Sequence, residues 1–107
     1  AWDRERTPVD ALRLVLVSGD WVPVEQPGRV EVMAPGARFV ALGGATEAAI
    51  WSVAHEVNEP VAPATRSIPY GRALPGQSVW VLNADDEPAV VGQVGEIVIA
   101  GGGVADG

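Results

Sequence analysis

Residues 38–47 have the sequence RFVALGGATE, a short apolar segment followed by two glycines, a hydroxyl and a carboxylate. The apolar part, residues 38–42, predicts a strand that ends at the glycines. In open α/β sheets, ligands bind beyond the carboxyl ends of the strands. The residues that follow this strand are therefore the first candidates for a binding site.

The residues before this strand complete a strand–helix–strand unit. Residues 12–17 form a mostly apolar run, which predicts a strand buried on both faces, as in a parallel sheet. Residues 23–34 predict a helix, because Pro23 suits a first helical turn and Glu25 suits an N-terminal position, although Gly28 weakens the pattern. A unit of this size is typical of a parallel crossover.

The second half of the chain has a different character. Three further strands are predicted there, at residues 49–57, 78–83 and 94–100. Prolines punctuate the long loop between the first two of them, and the pattern favours antiparallel pairing with many loops. We therefore expect a parallel α/β portion at residues 1–57 and an antiparallel β portion at residues 58–107, each too small to bury a good core alone.

Composition excludes several classes of function. The 107 residues have a net charge of -7, seven Arg, no Lys and no Cys. An acidic surface repels phosphate backbones, so we expect no nucleic-acid partner, and no apolar run is long enough to predict a membrane span. Without Lys there is no GxxxxGK[ST] phosphate loop, and a single His55 without Cys predicts no zinc site.

The segment after the strand offers groups for binding a nucleotide. Gly43 and Gly44 allow a ligand to approach the backbone closely. Thr46 offers a hydroxyl for a phosphate oxygen, and Glu47 offers a hard oxygen ligand for Mg²⁺. The residues alone also fit a tight turn in which Thr46 caps the chain and Glu47 is solvated, which is the commoner use of such residues.

The sequence GGATE at 43–47 resembles the aromatic-Gly-Pro-Thr-Glu motif of nonribosomal peptide synthetase adenylation domains, in the form found where substrates are heterocyclised. The sequence IPYGRAL at 68–74 resembles the family's Ile-Pro-hydrophobic-Gly-basic loop. The stretch at 94–107, VGEIVIAGGGVADG, resembles the next core motif. The resemblance implies that the chain is part of the large N-terminal core of an adenylation domain.

The resemblance implies roles for the motif residues. Gly43, Gly44, Ala45 and Thr46 would contact the nucleotide, with Thr46 at the α-phosphate. Glu47 would bind Mg²⁺. Gly43 and Ala45 depart from the usual aromatic and Pro, so an aromatic side chain at the first position is not available to stack on adenine.

The resemblance also implies a substrate pocket. Its lining would consist of Leu16, Ser18, Leu42, Ile50 and Trp51. This set is similar to the later half of the family's pattern for cysteine, and a small apolar pocket with one hydroxyl suits a thiol. Serine and threonine are close competitors, since apolar pockets discriminate weakly between near-isosteres. Judged without the resemblance, the same five residues fit an ordinary core.

The implied parent reaction joins an amino acid to ATP, giving aminoacyl-AMP and pyrophosphate, and then loads a carrier-protein thiol. ATP, Mg²⁺ and the carrier's phosphopantetheine are the implied cofactors. The implied partners are the rest of the adenylation domain and the carrier-protein and condensation or cyclisation domains of a cytoplasmic synthetase for a siderophore or other natural product. We expect the segment alone to be inactive. Two alternatives stay open: a segment of an acyl- or aryl-activating ligase, and a noncatalytic interaction module.

Overall fold

The computed structural model describes residues 9–63 and 65–106. The elements in chain order are β1 (Leu14–Val17), α1 (Gln26–Met33), β2 (Arg38–Gly43), a 3₁₀ turn (Thr46–Ala48), β3 (Val53–Glu56), β4 (Arg72–Ala73), β5 (Gln77–Leu82) and β6 (Glu96–Gly101). Residues 1–8 of the predicted first portion and Gly107 of the downstream motif lie outside the described residues.

The strands form two sheets. The first has the order β1-β2-β3-β4, with β1 parallel to β2 and β2 antiparallel to β3. The second is an antiparallel pair of β5 and β6. The parallel pair joined through α1, followed by antiparallel strands, confirms the mixed α/β class predicted from sequence.

The core lies on one face of the four-stranded sheet. Phe39 and Ala41 of β2 point into it, and α1 contributes Val30. Val22 and Ile68 complete the buried cluster. Because side chains alternate along a strand, the opposite face contains the residues between these core positions.

Strand β1 corrects one prediction. Leu14 and Leu16 are 44% and 48% exposed, while Val15 and Val17 pack against the core. The strand is therefore covered on one face and not on both, because α1 and the loops of the described chain cover only that side of the sheet.

The helix and the third strand are shorter than predicted. Helix α1 begins at Gln26 rather than at 23, and the proline of its first turn is Pro27. Strand β3 begins at Val53, because Ala49 and Ile50 have φ angles of 59° and 71°. These left-handed conformations are incompatible with a continuous strand.

Strand β4 is absent from the sequence predictions. Its two residues, Arg72 and Ala73, pair with Ala54 and Val53 of β3. The four-stranded sheet therefore includes chain from beyond the loop at 58–69. The division of the chain into portions at 1–57 and 58–107 stays a prediction.

An ion pair joins β2 and β3 on the exposed face. The Arg38 guanidinium donates from Nε to Glu56 Oε1 at 2.7 Å and from Nη2 to Oε2 at 3.0 Å. The hydrogen bonds from Arg38 hold the pKa of Glu56 below its usual value. No helix in the described residues is long and apolar enough to span a membrane.

Candidate nucleotide and substrate cleft

The loop after β2 closes on its own backbone. The Ser52 N–H donates to the Gly43 carbonyl at 2.7 Å, and the N–H groups of Ala48 and Ile50 both donate to the Ala45 carbonyl, at 3.0 and 2.9 Å. Ser52 is fully buried, and its hydroxyl donates to the Ala48 carbonyl. These bonds return the chain to the sheet within ten residues and hold the GGATE segment beside the end of β2.

Gly44 is required by this closure. A Cβ at this position would meet the Ile50 carbonyl oxygen, and it would lie 2.8 Å from the Ser52 nitrogen. Both neighbours are backbone atoms in a hydrogen-bonded loop, so they have little freedom to move. The close approach of backbone to backbone explains this glycine without any ligand.

Two consecutive left-handed residues follow the 3₁₀ turn. An alanine and a β-branched isoleucine, Ala49 and Ile50, occupy a region of φ/ψ space that favours glycine. Backbone of this kind persists only where its surroundings enforce it, and it is concentrated at ligand sites. Here it turns the chain sharply, so that Ile50 and Trp51 both line the cleft described next.

A cleft of about 750 Å³ lies at the carboxyl ends of β1 and β2. From β1 and the loop after it come Ser18, Gly19, Asp20, Trp21 and Val22. From β2 and the GGATE loop come Ala41, Leu42, Gly43, Gly44, Thr46, Ile50 and Trp51. Ser67, Ile68, Pro69, Tyr70 and Ile97 complete the lining. The volume is within the range of small-molecule sites.

The cleft brings together most of the residues that sequence analysis singled out. Four predicted substrate residues line it: Ser18, Leu42, Ile50 and Trp51. Three predicted nucleotide residues line it as well: Gly43, Gly44 and Thr46. Leu16, Ala45 and Glu47 are not among the lining residues. The binding roles of all these residues remain predictions.

Trp51 is held in place from two sides. Its indole Nε1–H donates to the Ser18 hydroxyl oxygen at 3.2 Å, which links the loop after β2 to the end of β1. Its carbonyl accepts a hydrogen bond of 3.0 Å from Gln77 Nε2 on β5. Because the Ser18 oxygen accepts from Trp51, the Ser18 hydroxyl hydrogen is free to donate to a substrate atom.

Glu47 suits a magnesium ion that is bound mainly by phosphates. Glu47 is exposed in the 3₁₀ turn beside Thr46. Its backbone carbonyl accepts a hydrogen bond of 2.7 Å from the Ala105 N–H. Within residues 9–63 and 65–106, no cluster of three His or acidic residues could hold a metal by itself. Mg²⁺ commonly binds one or two carboxylates and completes its shell with phosphate oxygens and water. The lone Glu47 carboxylate next to the Thr46 hydroxyl fits that pattern.

Tyr70 belongs to the loop at 68–74 and was not among the predicted site residues. In the structure Tyr70 lines the cleft, and its ring lies directly against the backbone of Gly43. The two residues are 27 positions apart in sequence. The Pro-Tyr-Gly sequence was the available signal, but it does not show which backbone the ring contacts.

The family model for AMP-binding enzymes matches residues 2–107. The chain belongs to the AMP-binding enzyme family. Within that family, its relatives are nonribosomal peptide synthetases and their adenylation domains, so the chain is a segment of an adenylate-forming ligase.

Among curated relatives of this AMP-binding segment, pyochelin synthetase PchE of Pseudomonas aeruginosa (strain UCBPP-PA14) is 51% identical over 100 residues, covering 91% of this chain and 7% of that protein. Bacitracin synthase 1 of Bacillus licheniformis is 43% identical over 96 residues, covering 90% of this chain and 2% of that protein. The chain thus spans less than a tenth of the length of either relative.

Among solved structures, the nonribosomal peptide synthetase FmoA3 in its α-methyl-L-serine-AMP bound form superimposes with a TM-score of 0.83 at 40% identity, covering 90% of this chain and 11% of that chain. Its AMPPNP-bound form gives a TM-score of 0.79 at 39% identity, with 90% and 10% covered. The strand arrangement is therefore that of the N-terminal portion of a synthetase adenylation domain.

Proposed function

We propose that this chain is the substrate- and nucleotide-binding segment of an amino-acid-activating adenylation domain. The reaction is attack of an amino-acid carboxylate oxygen on the α-phosphorus of ATP. The new O–P bond gives aminoacyl-AMP, and the bond to pyrophosphate breaks. The observation that supports this most is the single cleft in which Gly43, Gly44 and Thr46 lie beside Ser18 and Trp51.

Each side of the cleft has a separate task in this proposal. The GGATE side binds the nucleotide, with the Thr46 hydroxyl on a phosphate and the Glu47 carboxylate on Mg²⁺. The Mg²⁺, when bound, would neutralise charge on the phosphates. The FmoA3 structures with AMPPNP and with an aminoacyl-AMP support ATP as the nucleotide.

Cysteine is the amino acid that the other side suits best. Leu42 and Ile50 make that side apolar, and Trp51 limits its depth. The Ser18 oxygen already accepts the Trp51 N–H, which leaves its hydroxyl hydrogen and one lone pair to meet the thiol of a substrate. Serine or threonine would leave the apolar walls intact and lose little binding energy. Leu16 is on β1 outside the lining of the cleft, and its contact with the substrate stays a prediction.

Charge makes the segment dependent on the remainder of a domain. The described lining of the cleft contains no Arg, the chain contains no Lys, and its net charge is -7. No positively charged side chain in this lining neutralises the charge of a triphosphate. Transition states of this kind require such neutralisation. We therefore propose that the isolated chain is inactive and that cationic groups come from elsewhere in a complete domain.

Exposed apolar strands support the same conclusion. Leu14 and Leu16 on β1 and Trp80 and Ile97 on β5 and β6 are 44% to 53% exposed. Trp80 is paired with Val98 of β6, which is 38% exposed, so these two side chains form one exposed apolar patch of the kind that commonly marks an interface. We propose that the rest of the adenylation domain covers these strands, and that carrier-protein and condensation or cyclisation domains of one cytoplasmic synthetase use the product. The carrier's phosphopantetheine thiol would receive the aminoacyl group.

Pyrophosphate exchange in a chimera tests this proposal. Residues 12–107 replace the corresponding segment of a complete adenylation domain of different specificity, and ATP–pyrophosphate exchange is measured with a panel of amino acids and aryl acids. We expect exchange driven mainly by cysteine. A folded chimera that retains the host's preference would contradict the pocket assignment, and exchange with an aryl acid alone would favour an aryl-activating ligase.

The isolated chain provides the matched control for inactivity. We expect no exchange above background with any substrate, since the lining lacks cationic groups. Exchange by the purified 107-residue chain would overturn that part of the proposal. A folded chimera with no exchange, from a host domain that is active, would overturn the proposed function as a whole.

A further inference from the structure

The backbone of Tyr70 is fixed on both sides. Before it, Ile68 is 7% exposed in the core, and its N–H donates to the Val22 carbonyl at 3.0 Å. After it, Gly71 adopts a φ of 98° and packs against the Ala54 carbonyl, and Arg72 pairs with Ala54 in the sheet. A side chain whose neighbours are anchored in this way loses little further freedom on binding a ligand.

The ring of Tyr70 occupies the place where a side chain at residue 43 would stand. A Cβ built on Gly43 would lie 2.6 Å from Tyr70 Cζ and closer still to Cε1. Gly43 has no unusual φ that would itself require glycine. The conformation of the backbone therefore permits other residues at position 43, but a side chain there would displace the ring of Tyr70.

Tyr70 is also accessible from the cleft. The residue is 47% exposed, and it lines the cleft together with Gly43, Gly44 and Thr46. A planar aromatic side chain that lies against glycine backbone and is about half exposed is suited to stack on a planar heteroaromatic ring. Aromatic side chains stack on nucleobases in this way in many nucleotide sites.

Trp51 is less suited to this task. Its indole N–H is hydrogen-bonded to Ser18 at 3.2 Å, and Gln77 holds its carbonyl. These contacts place Trp51 on the side of the cleft next to Ser18 at the end of β1. Tyr70, in contrast, places its ring against the backbone of Gly43.

We propose that Tyr70 is the residue that stacks on the nucleotide base, and that Gly43 is glycine because the ring of Tyr70 covers it. The inference rests on the proposed function, since it assigns the base of the nucleotide used in that reaction. Stacking by Tyr70 requires both residues, because the aromatic ring at position 70 fits only where position 43 has no side chain.

Exchange kinetics of the chimera containing residues 12–107 test the pair. Pyrophosphate is the internal control, because it enters the same reaction but has no base to stack. We expect Tyr70→Ala to raise the KM for ATP about tenfold, the usual size of one lost base stack, with the KM for pyrophosphate unchanged. Tyr70→Phe keeps the ring and should leave both KM values near those of the parent chimera.

Gly43→Ala provides an independent variant in which Tyr70 is retained. Its methyl group would push the ring out of position, so we expect the KM for ATP to rise as in Tyr70→Ala, again with pyrophosphate unaffected. Melting temperatures near that of the parent chimera would show that each variant is folded. If Tyr70→Ala fails to fold, Gly43→Ala still measures the contribution of the ring, and Tyr70→Phe measures that of its hydroxyl group.

The outcomes separate this inference from the proposed function. An unchanged KM for ATP in Tyr70→Ala or Gly43→Ala, within a chimera that exchanges, overturns the stacking role alone. Equal increases in the KM for ATP and for pyrophosphate overturn it as well, because a purely structural defect affects both. A folded parent chimera that exchanges with no substrate overturns the proposed function, and the stacking role with it.

Discussion

The four-stranded sheet and the β5–β6 pair have similar apolar sequences but very different surroundings. In the first, Phe39 and Val53 are 3% and 1% exposed. In the second, Trp80 and Ile97 are 53% and 49% exposed. Helix α1 and the loop around Ile68 cover one face of the first sheet, whereas the described chain provides no such layer for β5 and β6. An apolar pattern therefore predicts a strand, but it does not show what covers that strand.

The largest expected effect comes from removing a core ring. Phe39→Ala should lower the free energy of unfolding by about 3–5 kcal/mol, because it removes a buried aromatic side chain and leaves a cavity. Trp80→Ala, the matched change on β5, should cost less, about 1–2 kcal/mol, since about half of that side chain is already in water. Urea unfolding of the chain measures both, and equal losses would contradict the difference between the two sheets.

Two glycines with positive φ also differ in their surroundings between the two sheets. A Cβ on Gly71, at φ 98°, would meet the Ala54 carbonyl of β3, whereas a Cβ on Gly76, at φ 82° before β5, has no atom within 4 Å. Gly71→Ala should therefore cost about 3 kcal/mol, from the clash and the strained backbone together. Gly76→Ala should cost about 1 kcal/mol from the backbone conformation alone. Similar losses in thermal unfolding would show that the clash is relieved.

The loop between β2 and β3 contains strain that a single change can relieve. Ala49→Gly should stabilise the chain by about 0.5–1 kcal/mol, because glycine adopts the left-handed φ of 59° freely. The control is the neighbouring Ala48→Gly, which should destabilise by about 1 kcal/mol, since Ala48 is 4% exposed and in the 3₁₀ turn. Denaturant unfolding should therefore show that the free energy of unfolding rises in Ala49→Gly and falls in Ala48→Gly.

The smallest effect concerns the exposed ion pair of the first sheet. The pKa of Glu56 is lowered by its hydrogen bonds from Arg38, so the pair stabilises the folded chain above the ordinary pKa of glutamate. That stabilisation is lost as the pH falls through the lowered pKa of the folded state. Glu56→Gln should lower the melting temperature by about 1–2 °C near pH 7 and have no effect well below pH 3. A difference that persists in acid would contradict the ion-pair explanation.

Much of the fold could be predicted from local sequence. The apolar run before Gly43 and the run ending at Val17 gave two strands, and their spacing gave the parallel crossover. The start of β3 at Val53 could not be predicted, because the apolar residues Ile50 and Trp51 before it resemble strand residues. Their conformation depends on backbone hydrogen bonds within the loop, from Ser52 to Gly43 and from Ile50 to Ala45, which the pattern of apolar side chains does not reveal.

The residues of the candidate site also divide into those that local sequence could predict and those that depend on contacts in the folded chain. The GGATE segment could be recognised because its residues are contiguous, and the pocket set could be proposed through the family resemblance. The Trp51–Ser18 hydrogen bond joins residues 33 positions apart, and Tyr70 meets Gly43 from a separate loop. Such contacts depend on how the sheet aligns its strands, and no local pattern encodes them. The short strand β4 was missed for the same reason, since its pairing with β3 defines it.

In the proposed function, one cleft on the first sheet has a nucleotide side and an amino-acid side. Exchange kinetics of two variants of the active chimera test this division. Thr46→Val should raise the KM for ATP and leave the relative activity with cysteine, serine and threonine unchanged, because it removes a phosphate contact. Ser18→Ala should change the preference among those amino acids and leave the KM for ATP unchanged. Both variants altering only the KM for ATP, or neither altering either quantity, would contradict the division of the cleft.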